Sequence, residues 1–451
     1  MPLRGDNISS LAGQDFFISN LKIIPAFKHG IASAELCPHA SEVVRQLQQA
    51  GYESYIVGGS VRDLLLGSLP KDFDVATSAT PEQVQQVFPR CRLIGRRFRL
   101  AHVRLRGVLT EVATFRGQHD SAGENENDHG RILRDNVWGD VEEDAVRRDF
   151  TINAMFLDPI SGEIRDYLDG YQDLADKRLR LIGDPEQRYK EDPVRLLRAA
   201  RFVAKLGVRP DPATEAPIRK MARLLQDVPP ARLFEEVCKL FLTGHGRASF
   251  DALQEFGLTS ILFPALKPEG KDGRVEAGPL LLRALENTDL RVREDRPVTP
   301  AFLFAALLWQ PIRDRTAKLL AGGMTEDDAI GVVAEEVFLA QSRRTAIPRR
   351  FSAVTRLIWS MQPRLARTRG KRWKKLLAEP RFRAGYDFLL LRAVEDPTLQ
   401  ELSEFWTQAQ IDFPLDEARA EAANDPDQPA TEQRDGRHRP RRRRRKPSNK
   451  N

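Results

Sequence analysis

Asp72 and Asp74 are two carboxylates at positions i and i+2, followed by the apolar pair Val75-Ala76. On a β-strand, residues at that spacing project from one face. Two carboxylates side by side repel each other unless a cation lies between them. Mg²⁺, or Mn²⁺ in its place, takes such oxygen ligands together with substrate phosphates. The plain alternative is a pair of solvated acids at a strand end. Gly58-Gly59 upstream adds something that alternative does not require: bare backbone amides ahead of a helix, where an anion can approach. The helix N-terminus contributes a partial positive charge there. Glu111 is a third carboxylate, set in the otherwise apolar or β-branched run Leu109 to Phe115. Three carboxylates on a small sheet suit metal-assisted displacement at phosphorus, which asks a protein mainly for positioning and charge. No serine, cysteine or histidine nucleophile is signalled.

These residues need elements to hold them. Tyr55 to Val57 reads as a strand stopped by Gly58-Gly59, with a helix from Ser60 to Leu66. Phe73 to Ala76 reads as a second strand carrying both aspartates, and Pro81 to Phe88 as a helix with proline in its first turn. Cys91 to Ile94, Ala101 to Leu105 and Leu109 to Phe115 are further strands. Between Gly117 and Gly139 the composition is that of a long surface loop. Beyond Arg188 the pattern is helical: Pro193 to Leu206, Pro217 to Leu225, Ala231 to Leu242, Ala248 to Phe256, Pro300 to Trp309 and Ala329 to Leu339. The fold class expected is therefore a mixed α/β head followed by an all-α region.

The chain has 451 residues, a size of about three domains. No apolar run is long enough for a membrane span. The first twenty residues lack the pattern of a signal peptide. Cys37, Cys91 and Cys238 are too far apart to read as a metal site or a disulfide framework, as in a cytoplasmic protein with reduced thiols. The net charge of +7 is concentrated at the end. Residues 434–451 hold ten basic side chains against Asp435 alone, leaving the rest of the chain slightly acidic. The densest stretch is Arg441, Arg442, Arg443, Arg444, Arg445 and Lys446. Such a run cannot bury a core and reads as a disordered, phosphate-binding tail, with nucleic acid as its partner.

Four motifs in order carry a resemblance: G-G-S-V-R-D (Gly58 to Asp63), K-D-F-D (Lys71 to Asp74), R-R-D-F-T (Arg147 to Thr151) and E-D-P-V-R-L-L-R-A-A-R-F (Glu191 to Phe202). V-P-P-A-R-L-F-E-E (Val228 to Glu236) continues it. The chain resembles the class II nucleotidyltransferases, the bacterial poly(A) polymerases and CCA-adding tRNA nucleotidyltransferases. The apolar spacing of Val43, Val44 and Leu47 reads as a short helix from Ser41 to Gln49. With the resemblance, the expected organisation is an N-terminal extension holding that helix (1–50), a catalytic head (51–185), a helical neck that binds nucleotide and RNA (186–275), a helical body (276–413) and a basic tail (414–451). The resemblance implies Asp72 and Asp74 as metal-binding catalytic residues assisted by Glu111, and Gly58, Gly59, Arg62 and Asp63 as the triphosphate loop. Arg148 and Asp149 match the motif that grips the sugar and supports the metal site. Asp149 also reads as an N-cap for a helix from Thr151 to Phe156. Asp192 and Arg195 match the pair that reads the incoming base. An acceptor beside a guanidinium complements the N6 amino group and N1 of adenine. Asp192 before Pro193 is also a favourable helix start.

The segment Leu93 to Val103 resembles a signature of the polymerase subgroup. The expectation is thus a two-metal poly(A) polymerase using ATP and diverse RNA 3′ ends, with a CCA-adding enzyme as the alternative. A third class, a non-catalytic RNA-binding protein, would have no need of Asp72, Asp74 and Glu111 together.

Overall fold

The computed structural model describes residues 21–95, 99–117, 137–269, 273–370 and 372–413. The basic run Arg441 to Lys446, most of the 117–139 loop and the centre of the Leu93–Val103 segment lie outside them. Contacts divide the chain into two units, 1–359 and 360–451.

The first unit opens with β1 (Lys22–Ile24), α1 (Ala26–His29), α2 (Pro38–Gln49), β2 (Ser54–Val57), α3 (Gly59–Leu65), β3 (Asp74–Thr77) and α4 (Pro81–Val87). It continues with β4 (Arg92–Ile94), β5 (Leu100–Leu105), β6 (Val108–Thr114), α5 (Val141–Val146), β7 (Met155–Leu157), β8 (Ile164–Asp166) and α6 (Gly170–Ala175). The eight strands form one mixed sheet, ordered β1-β8-β7-β2-β3-β6-β5-β4. Its neighbours are antiparallel except β3 and β6, which run parallel. Tyr55, Phe115, Phe156 and Tyr167 pack ring against ring in its core. Helix α2 packs on β2, β3 and β6 and α4 on β4, β5 and β6, burying Val43, Val44, Leu47 and Val84. Thr80 and Gln83 cap α4 reciprocally, satisfying two of its orphan amides.

Three departures from the sequence reading have local causes. Residues 151–156 are not a helix: Thr151–Asn153 is a 3₁₀ turn and β7 follows. Asp149 accepts from the Phe150 N–H next to it instead of capping a longer helix, and the β-prone Met155-Phe156-Leu157 pairs with β2 and β8. Helix α9 (Pro212–Met221) starts ahead of Pro217, because Asp211 accepts from the Thr214 N–H and Pro212 supplies the first turn. Strand β1 shows that residues ahead of Ser41 also contribute to the sheet.

Two-residue strands β9 (Arg178–Leu179) and β10 (Arg209–Pro210) flank the next helices, α7 (Pro185–Glu191) and α8 (Val194–Leu206). After α9 come α10 (Pro230–Phe241), α11 (Gly246–Glu255), α12 (Thr259–Leu262), the pair β11 (Pro268–Glu269) and β12 (Arg274–Val275), α13 (Pro279–Arg293), α14 (Pro300–Leu307), α15 (Trp309–Ala321), α16 (Glu326–Arg344) and α17 (Arg349–Leu365). The second unit, with α18 (Arg372–Leu377), α19 (Phe382–Glu395) and α20 (Gln400–Asp412), packs Phe382, Phe405 and Trp373 around buried Trp406. No described helix is long and apolar enough to cross a membrane.

Candidate active site

Register sets the site. Val57, the last residue of β2, pairs with Asp74, the first of β3. The chain then leaves β2 through Gly58, which holds φ 78° and ψ −131° at the N-cap of α3. Only glycine adopts that backbone without strain. A Cβ there would also lie 3.4 Å from Nη1 of Arg148. The glycine pair is thereby fixed beside Asp74.

Asp72 and Asp74 do not share a strand face, contrary to the sequence reading. Pairing of β3 begins only at Asp74, because its partner ends at Val57 and Gly58 turns away. Asp72 is exposed on the approach to the strand, near enough to raise the pKa of Asp74. Glu111 sits one step before the parallel pair Val75–Val112, which makes it the lateral neighbour of Asp74. Across the sheet its Oε1 lies 3.3 Å from Nε2 of His102. Asp74 keeps accessible surface in the cleft, yet surrounding protein atoms crowd its carboxyl. Desolvation, then Glu111 and Asp72, push its pKa up to about 6 against the opposing effect of Arg148.

This surplus of negative charge fits a divalent cation. Among the described residues no group of three or more His, Cys, Asp or Glu side chains is placed to hold a metal ion, so the neighbours Asp74 and Glu111 are the acids this site brings together.

A cleft of about 600 Å³ opens next to Asp74, lined by Gly58, Gly59, Arg148, Asp192, Arg195 and Arg232, among others. Arg62 is buried on it, giving its donors to Asp63 (2.6 Å) and to Asn153 Oδ1 (2.5 Å). Asp63 in turn accepts from Lys205 at 2.9 Å, tying α3 to α8. Arg148 donates to Asp144 (2.6 Å) and stacks on Phe156, so its guanidinium stays between Gly58 and Asp74. Asp149 accepts from the Phe150 N–H, from Asn153 and from Arg198, whose Nη2 lies 2.5 Å away. Desolvation works against its ionised form, but Arg198 and these hydrogen bonds hold its pKa below the usual carboxylate range.

Asp192 accepts from the Val194 N–H at 3.2 Å and from Arg232 at 2.6 Å, while α8 begins one residue later than the helix-start reading, with Pro193 at its N-cap. Arg195 donates through Nη1 to Glu191 and to the Arg188 carbonyl. The structure brings Gly58, Gly59, Arg62, Asp74, Arg148, Asp149, Asp192 and Arg195 to one cavity. Glu111 lines a second one, of about 320 Å³, on which Asp74 and Arg148 also lie.

Sequence reasoning missed Arg198, Arg232, Asn153 and Asp144. The first had a signal: Arg195, Arg198, Arg201 and Lys205 recur at helical spacing, a basic stripe along α8. Arg232 and Asn153 are recognised through partners distant in sequence, Asp192 and Arg62, whereas Asp144 lies one helical turn before its partner Arg148.

Residues 54–180 match the Poly A polymerase head domain. Residues 207–269 match the Probable RNA and SrmB- binding site of polymerase A, and residues 322–447 the Polymerase A arginine-rich C-terminus. Poly(A) polymerase I of Escherichia coli O157:H7 is 47% identical over 406 residues, 88% of this chain and 87% of that one. Poly(A) polymerase I of Haemophilus influenzae is 45% identical over 86% of this chain and 88% of its own. A CCA-adding enzyme of Geobacillus thermodenitrificans is 34% identical over 67% of this chain and 74% of its own. Among solved structures, the Bacillus stearothermophilus CCA-adding enzyme in complex with CTP superposes with a TM-score of 0.56 at 26% identity, covering 84% of each chain.

Proposed function

The chain belongs to the poly(A) polymerase family, and on that premise we propose that it adds AMP residues from ATP to RNA 3′ ends without a template, as part of RNA processing and decay in the cytoplasm. The observation that carries the reading is the junction of Gly58-Gly59 with Asp74 at a cleft whose far side presents Asp192 and Arg195. The triphosphate lies against the backbone amides at the start of α3, with Arg148 held alongside by Asp144. The adenine faces Asp192 and Arg195, braced in their turn by Arg232, Glu191 and the Arg188 carbonyl. Asp149, held by Arg198 and Asn153, keeps the sugar side of the cleft in place. Asp72 and Asp74, assisted by Glu111, would hold two divalent ions that neutralise triphosphate charge and ease ionisation of the attacking hydroxyl. The RNA 3′-oxygen bonds to the α-phosphorus, the bond from that phosphorus to the bridging oxygen breaks, and pyrophosphate leaves as the hydroxyl proton is lost.

The test gives the purified chain a generic RNA primer, Mg²⁺ and each NTP separately, then together. Long A tails on any primer support the proposal. Addition confined to C-C-A on tRNA would replace it with the CCA-adding alternative, and binding without addition would leave an RNA-binding protein.

A further inference from the structure

Among the described residues, the outer half of the sheet keeps one face exposed. Helices α2 and α4 cover the side on which Thr110, Val112, Ala101 and Val103 are buried. On the other side, residues in register form a row that starts at the catalytic carboxylate: Asp74, Glu111 on β6, His102 on β5 and Arg92 on β4. Beside this row the same face carries Ile94 and Leu109, each 46% exposed, and the exposed Arg104, which pairs in register with Leu109. The 320 Å³ cavity, with Leu100 and Ala113 in its wall, lies where the row meets Asp74.

We propose that this face, from the small cavity outward across β6, β5 and β4, is the track for the last nucleotides of the RNA primer. The inference rests on the polymerase reading and deepens it. An RNA chain whose 3′-hydroxyl reaches Asp74 must leave the site along some surface, and the nucleotide cleft shares only Asp74 and Arg148 with the small cavity. The open face is continuous with the carboxylates and ends in arginines, complementary to phosphates. Its exposed apolar side chains offer contact to unstacked bases without reading sequence, which suits diverse 3′ ends. Arg92 and Arg104 hold phosphates, while Ile94 and Leu109 lie against bases.

The experiment measures binding of a fluorescein-labelled oligo(A) RNA to the full-length chain by anisotropy across a salt series. The Arg92→Ala/Arg104→Ala variant removes two phosphate contacts. Its slope of log K against log salt should fall by about 1.4 from that of the unmodified chain, since each single-strand phosphate contributes roughly 0.7. Affinity at low salt should drop roughly tenfold, while the KM for ATP stays unchanged. An unchanged slope would overturn the track. As a second measurement, the unmodified chain is crosslinked to an RNA with 4-thiouridine next to its 3′ end. Adducts on the peptides holding Ile94 or Leu109 support the proposal, and adducts confined to the helical region overturn it. Failure of the unmodified chain to extend RNA with ATP would remove the polymerase reading and leave both binding results standing.

Discussion

Arg198 and Asp149 join α8 to the turn after α5, and a double-mutant cycle on them measures how firmly the cleft is held. The Arg198 side chain is 29% exposed and that of Asp149 is 13% exposed, with nitrogen–oxygen distances of 2.5 and 2.6 Å. With charge centres about 4 Å apart and an effective dielectric of about 20, their attraction is about 4 kcal/mol. Desolvation and the partial exposure of Arg198 reduce the net coupling to about 2 kcal/mol. Arg198→Met leaves Asp149 only the Phe150 N–H and Asn153 as donors and should destabilise by about 3 kcal/mol. Asp149→Asn strands Arg198 in a site where Arg62 and Arg201 already share the Phe202 ring, at a similar cost of about 3 kcal/mol. The double variant should then lose about 4 kcal/mol rather than the additive 6.

Urea unfolding followed by circular dichroism reads this at pH 7 and pH 3. Asp149 has a depressed pKa in the folded chain. Its contribution is therefore present above the unfolded carboxylate value and is lost as pH falls through the folded one. The gap between the unmodified chain and Arg198→Met should narrow on acidification. A coupling below about 0.5 kcal/mol, with a gap indifferent to pH, would refute the claim that this pair holds the cleft.

Two further outcomes follow from the site. Asp74→Ala should abolish nucleotide addition while oligo(A) binding, measured by anisotropy, persists; retained addition would remove Asp74 from the metal-binding pair. Arg232→Ala should release Asp192 from its 2.6 Å partner. Because Arg232 is 42% exposed, the pair is worth no more than about 1 kcal/mol, so preference for ATP over CTP in kcat/KM should fall about fivefold. Unaltered preference would show that Asp192 needs no brace.

What the sequence disclosed was mostly local. The strand–Gly-Gly–helix unit was legible because its signals are adjacent: Tyr55 to Val57 is β-prone and buried, and Gly58 and Gly59 interrupt it. Glu111 was legible as a lone acid in an apolar strand, and its neighbour Asp74 as the acid starting another. The shared strand face of Asp72 and Asp74 was misjudged because the start of β3 is decided by where β2 ends. Strands β1, β7 and β8 escaped because three residues carry too little periodicity to separate from turn or helix. The braces of the site escaped for another reason. Asp149 and Arg198 are 49 residues apart, Asp192 and Arg232 are 40 apart, and neither pair has a spacing that one element could disclose.

Those long-range braces bear on how the chosen base is read. Asp192 and Arg195 are not bare hydrogen-bonding groups waiting for adenine, since each is already engaged by the protein. Arg188 donates to the Arg147 and Arg148 carbonyls and pairs with Glu191, which in turn holds Arg195. Burial and the adjacent Arg195 depress the Arg188 pKa to about 10, still far above neutrality, so the link stays charged under any ordinary assay condition. The Arg148 backbone and the Arg195 side chain are thus two ends of one chain of charge-assisted bonds. Selectivity is a difference of affinities, and a mismatched base gains when the reading groups can swing to meet it. Bonds that fix Asp192 from behind and Arg195 through Nη1 remove that freedom. Under the proposed function the remaining edge would be offered in one direction, and a base of another pattern would meet unpaired groups.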